Sequence, residues 1–154
     1  MTTIEVADEP DLPELLTLMR GYCDFYEVAP SDDALLSMSR ALIADPAREG
    51  LQLIARDAQG KAIGFATIFW SWSTSQAARI GIMNDLFVEP AARGTGVAEA
   101  LIQQCVDRAR TRGAAVLAWQ TALDNHRAQK VYDRIGGRRS QWLDYDLPAA
   151  EETG

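Results

Sequence analysis

The chain has 154 residues, of which 47% are hydrophobic and 24% charged, and its formal net charge is −7. One domain of this length buries roughly 70% of its unfolded surface, so its core needs neither a disulfide framework nor a structural metal. The acidic balance argues against nucleic acid and against an anionic membrane surface, since both need a basic face, and it is compatible with a cationic substrate.

Met1-Thr2-Thr3-Ile4-Glu5 has neither the basic nor the apolar part of a secretory leader. No apolar run approaches the ~20 residues of a spanning helix. A soluble, cytoplasmic protein is expected. Residues 3–6 form a short β-type run, broken by Asp8-Glu9-Pro10-Asp11. Leu12, Leu15, Leu16 and Met19 then recur at helical spacing, with Tyr22, Phe25 and Tyr26 continuing the stripe until Pro30. Ser31-Asp32-Asp33 offers an N-cap to a second helix carrying Leu35, Leu36, Met38, Leu42 and Ile43, closed by Asp45-Pro46.

Three strands are expected next, over 51–55, 61–72 and 78–88, the first two joined at Asp57-Ala58-Gln59-Gly60. The period then changes. Ala98, Leu101, Ile102, Cys105, Val106 and Ala109 mark an amphipathic helix stopped by Gly113, with Arg110 and Arg112 in its last turn. Cys105 on that stripe reads as a buried, reduced thiol. A strand over 114–121 follows, then a helix capped by Asp124 or Asn125 and ended by Gly136-Gly137, then a last strand over 141–147. The order βααβββαβαβ predicts one α/β domain over 1–148, with a mixed sheet, helices on both faces and a flexible tail over 149–154.

The most informative segment is Asn84-Asp85-Leu86-Phe87-Val88-Glu89-Pro90-Ala91-Ala92-Arg93-Gly94-Thr95-Gly96-Val97-Ala98. A strand enters a glycine-containing turn that opens directly into a helix. Free backbone N–H groups converge there at the positive end of the helix dipole, which makes an anion site. The loop lacks the Gly-Lys-Ser/Thr ending of a P-loop. It also lacks the third glycine of a dinucleotide fingerprint, because Glu99 stands in that slot.

Arg93-Gly94-Thr95-Gly96-Val97-Ala98 does match the R-x-x-G-x-G/A pattern of the GNAT superfamily of N-acetyltransferases. Asp85-Leu86-Phe87-Val88 before Pro90 resembles that family's fourth strand, and Trp119-Gln120-Thr121 its fifth. The stretch from Asn125 through Ala128 and Tyr132 to Gly136 is similar to the family's N-x-x-A-x-x-x-Y-x-x-x-G. The flavour is that of the branch holding yeast histone, polyamine and D-amino-acid acetyltransferases.

The resemblance implies the acyl-CoA N-acyltransferase fold, in which the fourth and fifth strands splay apart around the cosubstrate, acetyl-CoA. It implies that Arg93, Gly94, Thr95, Gly96, Val97 and Ala98 hold the pyrophosphate. Leu86, Phe87 and Val88 would bond the pantetheine arm and the thioester carbonyl through their backbone, and Asn125 and Ala128 would meet the pantetheine. Tyr132 would protonate the leaving thiolate. Two departures stand out. Where relatives often carry an acidic pair this chain has Asn84-Asp85, which leaves Asp85 as the base. Where relatives end the tyrosine helix with Gly-Phe this chain has Gly136-Gly137, with Trp142 a replacement for the lost packing aromatic.

The reaction implied is direct attack of a small-molecule primary amine on the thioester, with Asp85 as base and Tyr132 as acid. An alkylamine with a pKa near ~10.4 must first lose a proton at neutral pH. Tyr22, Phe25, Tyr26 and Glu27 in the first helix region suit an ammonium-bearing acceptor. Trp70, Trp72, Trp142 and Tyr145 are further strand candidates, and exposed strand aromatics would support a homodimer. A protein lysine or N-terminal acetyltransferase and a non-catalytic acyl-CoA sensor are the alternative readings.

Overall fold

The computed structural model describes residues 1–151; of the tail expected over 149–154, residues 152–154 lie outside the described residues. The elements are β1 (Thr3–Val6), α1 (Leu12–Phe25), α2 (Asp32–Ala44), β2 (Gly50–Arg56), β3 (Ala62–Ser73), β4 (Ala78–Val88), α3 (Val97–Thr111), β5 (Leu117–Ala118) and α4 (His126–Arg134). They form a five-stranded sheet in the order β1-β2-β3-β4-β5, antiparallel throughout except for the parallel pair β4–β5.

Local chemistry accounts for the joints. Asp57 makes the β2–β3 turn by accepting from the N–H groups of Gln59 and Lys61 at 2.9 Å each. The Ser31 hydroxyl caps α2 by accepting from Ala34 N–H at 3.1 Å. Asn125 caps α4 in the same way, its Oδ1 accepting from Ala128 N–H at 3.2 Å.

The sheet carries a core on each face, as period-2 alternation requires. Leu53, Ala55, Ala66, Ile68 and Met83 pack under Val97, Leu101, Ile102 and Cys105 of α3. Ile54 and Phe65 pack against Leu12, Leu15, Leu18, Met19 and Cys23 of α1, with Leu35 of α2. Cys23 and Cys105 are free and buried. No helix of the described residues is long and apolar enough to cross a membrane.

Three expectations need correction. The strand expected over 114–121 is only Leu117–Ala118. It meets β4 only at Gly81↔Leu117 and Ile82↔Ala118, after which the two strands diverge and residues 119–121 have no ladder to join. The strand expected over 141–147 does not form; the segment runs beyond α4 as irregular chain with its apolar side chains in solvent. Trp142 is among those exposed side chains and so replaces no core aromatic. At Gly137 the backbone turns tightly against the end of α4. Gly137 N–H donates to the Tyr132 carbonyl at 2.9 Å, and a Cβ on Gly137 would stand 2.9 Å from that same oxygen. No side chain fits there.

Candidate active site

The divergence of β4 and β5 opens a slot in the sheet. Asn84 is the extra residue of a bulge in β4, since Thr67 faces Asp85 while Ile68 faces Met83. A bulge re-aims the side chains that follow it. It turns Asp85 and Phe87 toward α1, and Leu86 and Val88 toward α3. From Met83 to Val88, β4 bonds β3 along one edge and pairs with no strand along the other. Its free backbone groups face the slot.

Tyr22, Tyr26, Met83, Asn84, Asp85, Leu86, Trp119, Gln120, Thr121 and Tyr132 line this slot. Asp85 is only 8% exposed. Asn84 Nδ2 stands 3.4 Å from its Oδ2, while Oδ1 has no hydrogen-bond partner among the described residues. Burial pushes its carboxyl up from 3.8 to about 6, against the lowering influence of Thr67 and Asn84. Gln52 donates to the Thr67 hydroxyl at 3.1 Å and reaches Met19 Sδ at 3.6 Å, which fixes the polar neighbour of Asp85 inside the core.

Three phenols stand around this carboxyl. Tyr22 stacks obliquely on Tyr26 with ring centroids 4.9 Å apart, and burial, then Asp85, raises its hydroxyl. Tyr132 meets Trp119 edge-on at 5.3 Å. Burial, then Tyr26, raises the Tyr132 hydroxyl too, so it keeps its proton at neutral pH.

At the end of β4, Arg93 turns back and donates from Nε to the Val88 carbonyl at 2.9 Å. Gly94 and Gly96 take left-handed φ of 77° and 89°. A Cβ on either would meet nothing within 4 Å, so open space lies in front of both. The first hydrogen bond of α3 runs from Ala100 N–H to the Gly96 carbonyl, which leaves Val97 and Ala98 N–H as orphan donors of the helix start, while the Glu99 carboxylate takes its own N–H. Burial, and then nearby Arg127, holds the Arg93 guanidinium below its ordinary value. Two cations, a helix N-terminus and an open glycine cradle fit a diphosphate.

The structure thus brings together Asp85, Tyr132, Tyr22 and Tyr26 at one slot, with the 93–98 loop at the end of the same strand. Phe25 packs edge-on against Tyr26 but does not line the slot. Glu27 is an exposed C′ residue of α1 with φ 56°, its N–H bonded to the Asp24 carbonyl, and it too lies off the slot. Trp70 donates to the Pro46 carbonyl, and Trp72 stacks under Arg79; neither lines the slot, and nor do Trp142 and Tyr145. Sequence reasoning named Trp119, Gln120 and Thr121 only as a strand; the structure makes them a wall of the site. The available signal was the family resemblance of these residues to a fifth strand that splays from the fourth around the cosubstrate.

The Acetyltransferase (GNAT) family pattern matches residues 15–137. This chain belongs to the GNAT family of acetyltransferases. It is 32% identical over 133 residues to YhfO of Bacillus subtilis, described as an uncharacterized N-acetyltransferase, covering 86% of this chain and 87% of that protein. It is 33% identical over 128 residues to the D-amino-acid N-acetyltransferase HPA3 of Saccharomyces cerevisiae, covering 82% of this chain and 78% of that one. Among solved structures, an aminoglycoside N-acetyltransferase in complex with CoA superposes with a TM-score of 0.82 over 97% of this chain and 96% of its own, at 23% identity. At that identity the likeness is one of fold. In this chain a mixed sheet with helices on both faces holds the slot where β4 and β5 part.

Proposed function

We propose that this GNAT protein transfers an acetyl group from acetyl-CoA to the primary amine of a small molecule, by direct attack and without a covalent enzyme intermediate. One observation carries the reading: a buried, half-orphaned carboxylate, Asp85 of β4, lines the same slot as a protonated phenol, Tyr132 of α4. Base and acid flank one cleft, which suits removal of a proton from an ammonium and return of a proton to a thiolate.

Acetyl-CoA supplies an activated thioester when bound. Gly94, Thr95, Gly96, Val97 and Ala98 hold its diphosphate through backbone N–H groups, while Arg93 and Arg127 supply positive charge beside them. The free edge of β4 at Leu86 and Val88 orients the pantetheine arm and presents an N–H to the thioester carbonyl, while Phe87 between them turns its backbone groups to β3. Val88 keeps its carbonyl on Arg93 and so contributes through its other backbone group. Asn125 and Ala128 at the start of α4 bound the arm on the far side.

The acceptor enters over Tyr22 and Tyr26, whose ring faces suit an ammonium. Asp85 takes its proton, directly or through one water. Tyr132 gives a proton to the departing sulfur. The yeast relative is named for an amino-acid acceptor, which supports a small-molecule amine here.

A thiol-release assay with acetyl-CoA across polyamines, amino acids, aminoglycosides and a lysine peptide tests the reading. Turnover on a small amine, with the peptide inert, is expected. Turnover on the peptide alone would reverse the acceptor class. Silence across the panel, with CoA still raising Tm, would leave an acyl-CoA-binding protein without this activity.

A further inference from the structure

A protein interior admits polar side chains only where something satisfies them. Among the described residues, the buried polar side chains are Ser39, Gln52, Thr67 and Asp85. They come from α2, β2, β3 and β4, yet they form one connected line. Gln52 stands directly opposite Thr67, and Thr67 directly opposite Asp85. All three therefore share the α1 face of the sheet with Ile54, Phe65 and Phe87. Thr67 is fully buried and Gln52 nearly so.

The line has a direction. A thioether sulfur can only accept a hydrogen bond. Ser39 Oγ donates to Met19 Sδ at 3.7 Å, and Gln52 Nε2 donates to it at 3.6 Å. The sulfur thus fixes which end of the Gln52 amide faces inward, because the carbonyl end would set two acceptors against each other. The same Nε2 donates to Thr67 Oγ1 at 3.1 Å. Thr67 receives a proton from Gln52 and keeps its own single proton to give. The group opposite is the Asp85 carboxyl. Burial pushes that carboxyl up, while the Thr67 hydroxyl, then Asn84, then the Thr67 N–H draw it down. The titratable groups around it are Tyr22 of α1, Tyr26 just beyond, Tyr132 of α4 and Cys105 of α3. None of these is a cation, so neutral donors alone steer the carboxylate.

We propose that Gln52 and Thr67 are positioning residues for the base: Gln52 turns the Thr67 hydroxyl proton toward Asp85, and that proton orients the carboxylate so that Oδ1 stays open to the slot. Asp85 is the base of the reaction proposed above, and the role of both neighbours rests on that reading. Stability gives no reason for such a row, since apolar residues of the same shape are often neutral or stabilising in its place. Catalysis does give one. Oδ1 has no partner among the described residues, and a base needs a lone pair free to meet the ammonium. Thr67 and Gln52 touch neither substrate nor cosubstrate; neither lines the slot. They act through Asp85, with Met19 holding the amide the right way round.

The test is a carboxyl-carbon NMR titration of Asp85 in the full chain without substrate, its resonance assigned by its loss in Asp85→Asn, beside kcat/KM measured across pH. Thr67→Val keeps the shape and removes the proton, so both midpoints should rise by about one pH unit. Thr67→Ser restores the hydroxyl and should hold them at the wild-type position. Gln52→Met removes the donor behind Thr67 and should raise both midpoints by a smaller step. A merely structural row would change Tm and leave the midpoints in place, and that result overturns the proposal. So does a Thr67→Ser variant that shifts as far as Thr67→Val. Should Thr67→Val fail to fold, Gln52→Met decides alone, and an unmoved midpoint overturns the proposal. The titration needs no turnover. A carboxyl that moves with Thr67 in a chain inert toward every amine upholds the alignment and overturns only the assigned reaction.

Discussion

Asp85 shows how a reactive group is held at a cost to the fold. Its carboxyl is raised to about 6, so folding favours the protonated form. The contribution of that proton to stability is complete below the unfolded value near 3.8 and is lost as pH rises through about 6. Above that pH the ionised group costs on the order of 3 kcal/mol. Asp85→Asn should therefore raise Tm by a few degrees at pH 7.5 and leave it unchanged at pH 3.5, while kcat/KM falls ~100-fold or more. In wild type, kcat/KM should climb through about pH 6. A Tm that drops at pH 7.5 would make Asp85 a structural group. Tyr132 is the companion case. Tyr132→Phe keeps the edge-on ring contact with Trp119, so Tm should hold within a degree or two while kcat falls ~10- to 100-fold and CoA affinity stays. Equal losses in kcat and affinity would assign it to cosubstrate binding instead.

At the scale of elements, the site is a consequence of strand pairing. β4 binds β3 over its whole length but β5 at two positions only, and the bulge at Asn84 sets which side chains turn toward α1. The loop after β4 then delivers α3 with its N-terminus open. Gly96 at φ 89° is both the N-cap of α3 and the floor of the cradle. Gly96→Glu adds a carboxylate to an anion site and a Cβ to a left-handed position. It should abolish measurable CoA binding in calorimetry while the far-ultraviolet spectrum persists; unchanged binding would remove the diphosphate from this loop. Element ends were also legible where a side chain makes the cap. Ser31, Asn125 and the turn at Asp57 form the bonds their residue types suggest.

For the molecule as a whole, two cores on opposite sheet faces supply stability without cross-links. Cys23 lies in the α1 core and Cys105 in the α3 core, with the sheet between them. Burial pushes the Cys105 thiol up to about 12, which keeps it unreactive. Adding reductant should leave Tm unchanged within about 1 °C, and an alkylating reagent should modify neither thiol until the protein unfolds. Early loss of either thiol would mean that its core opens locally.

The sequence by itself determined the local and the periodic. Apolar spacing marked the helices and the long strands, and Arg93-Gly94-Thr95-Gly96 marked the anion loop, because caps, turns and faces depend on residues a few positions apart. Only the tertiary structure decided what depends on pairing between distant segments. That β5 shrinks to Leu117–Ala118 and that Trp119 becomes a site wall follow from where β4 and β5 part, and Phe25 and Glu27 fall off the slot because the end of α1 turns Tyr22 and Tyr26 toward it. The strand-like pattern of 141–147 is real in the sequence, yet a strand exists only beside a partner. Periodicity can specify which face such a segment would bury, but not which edge receives it.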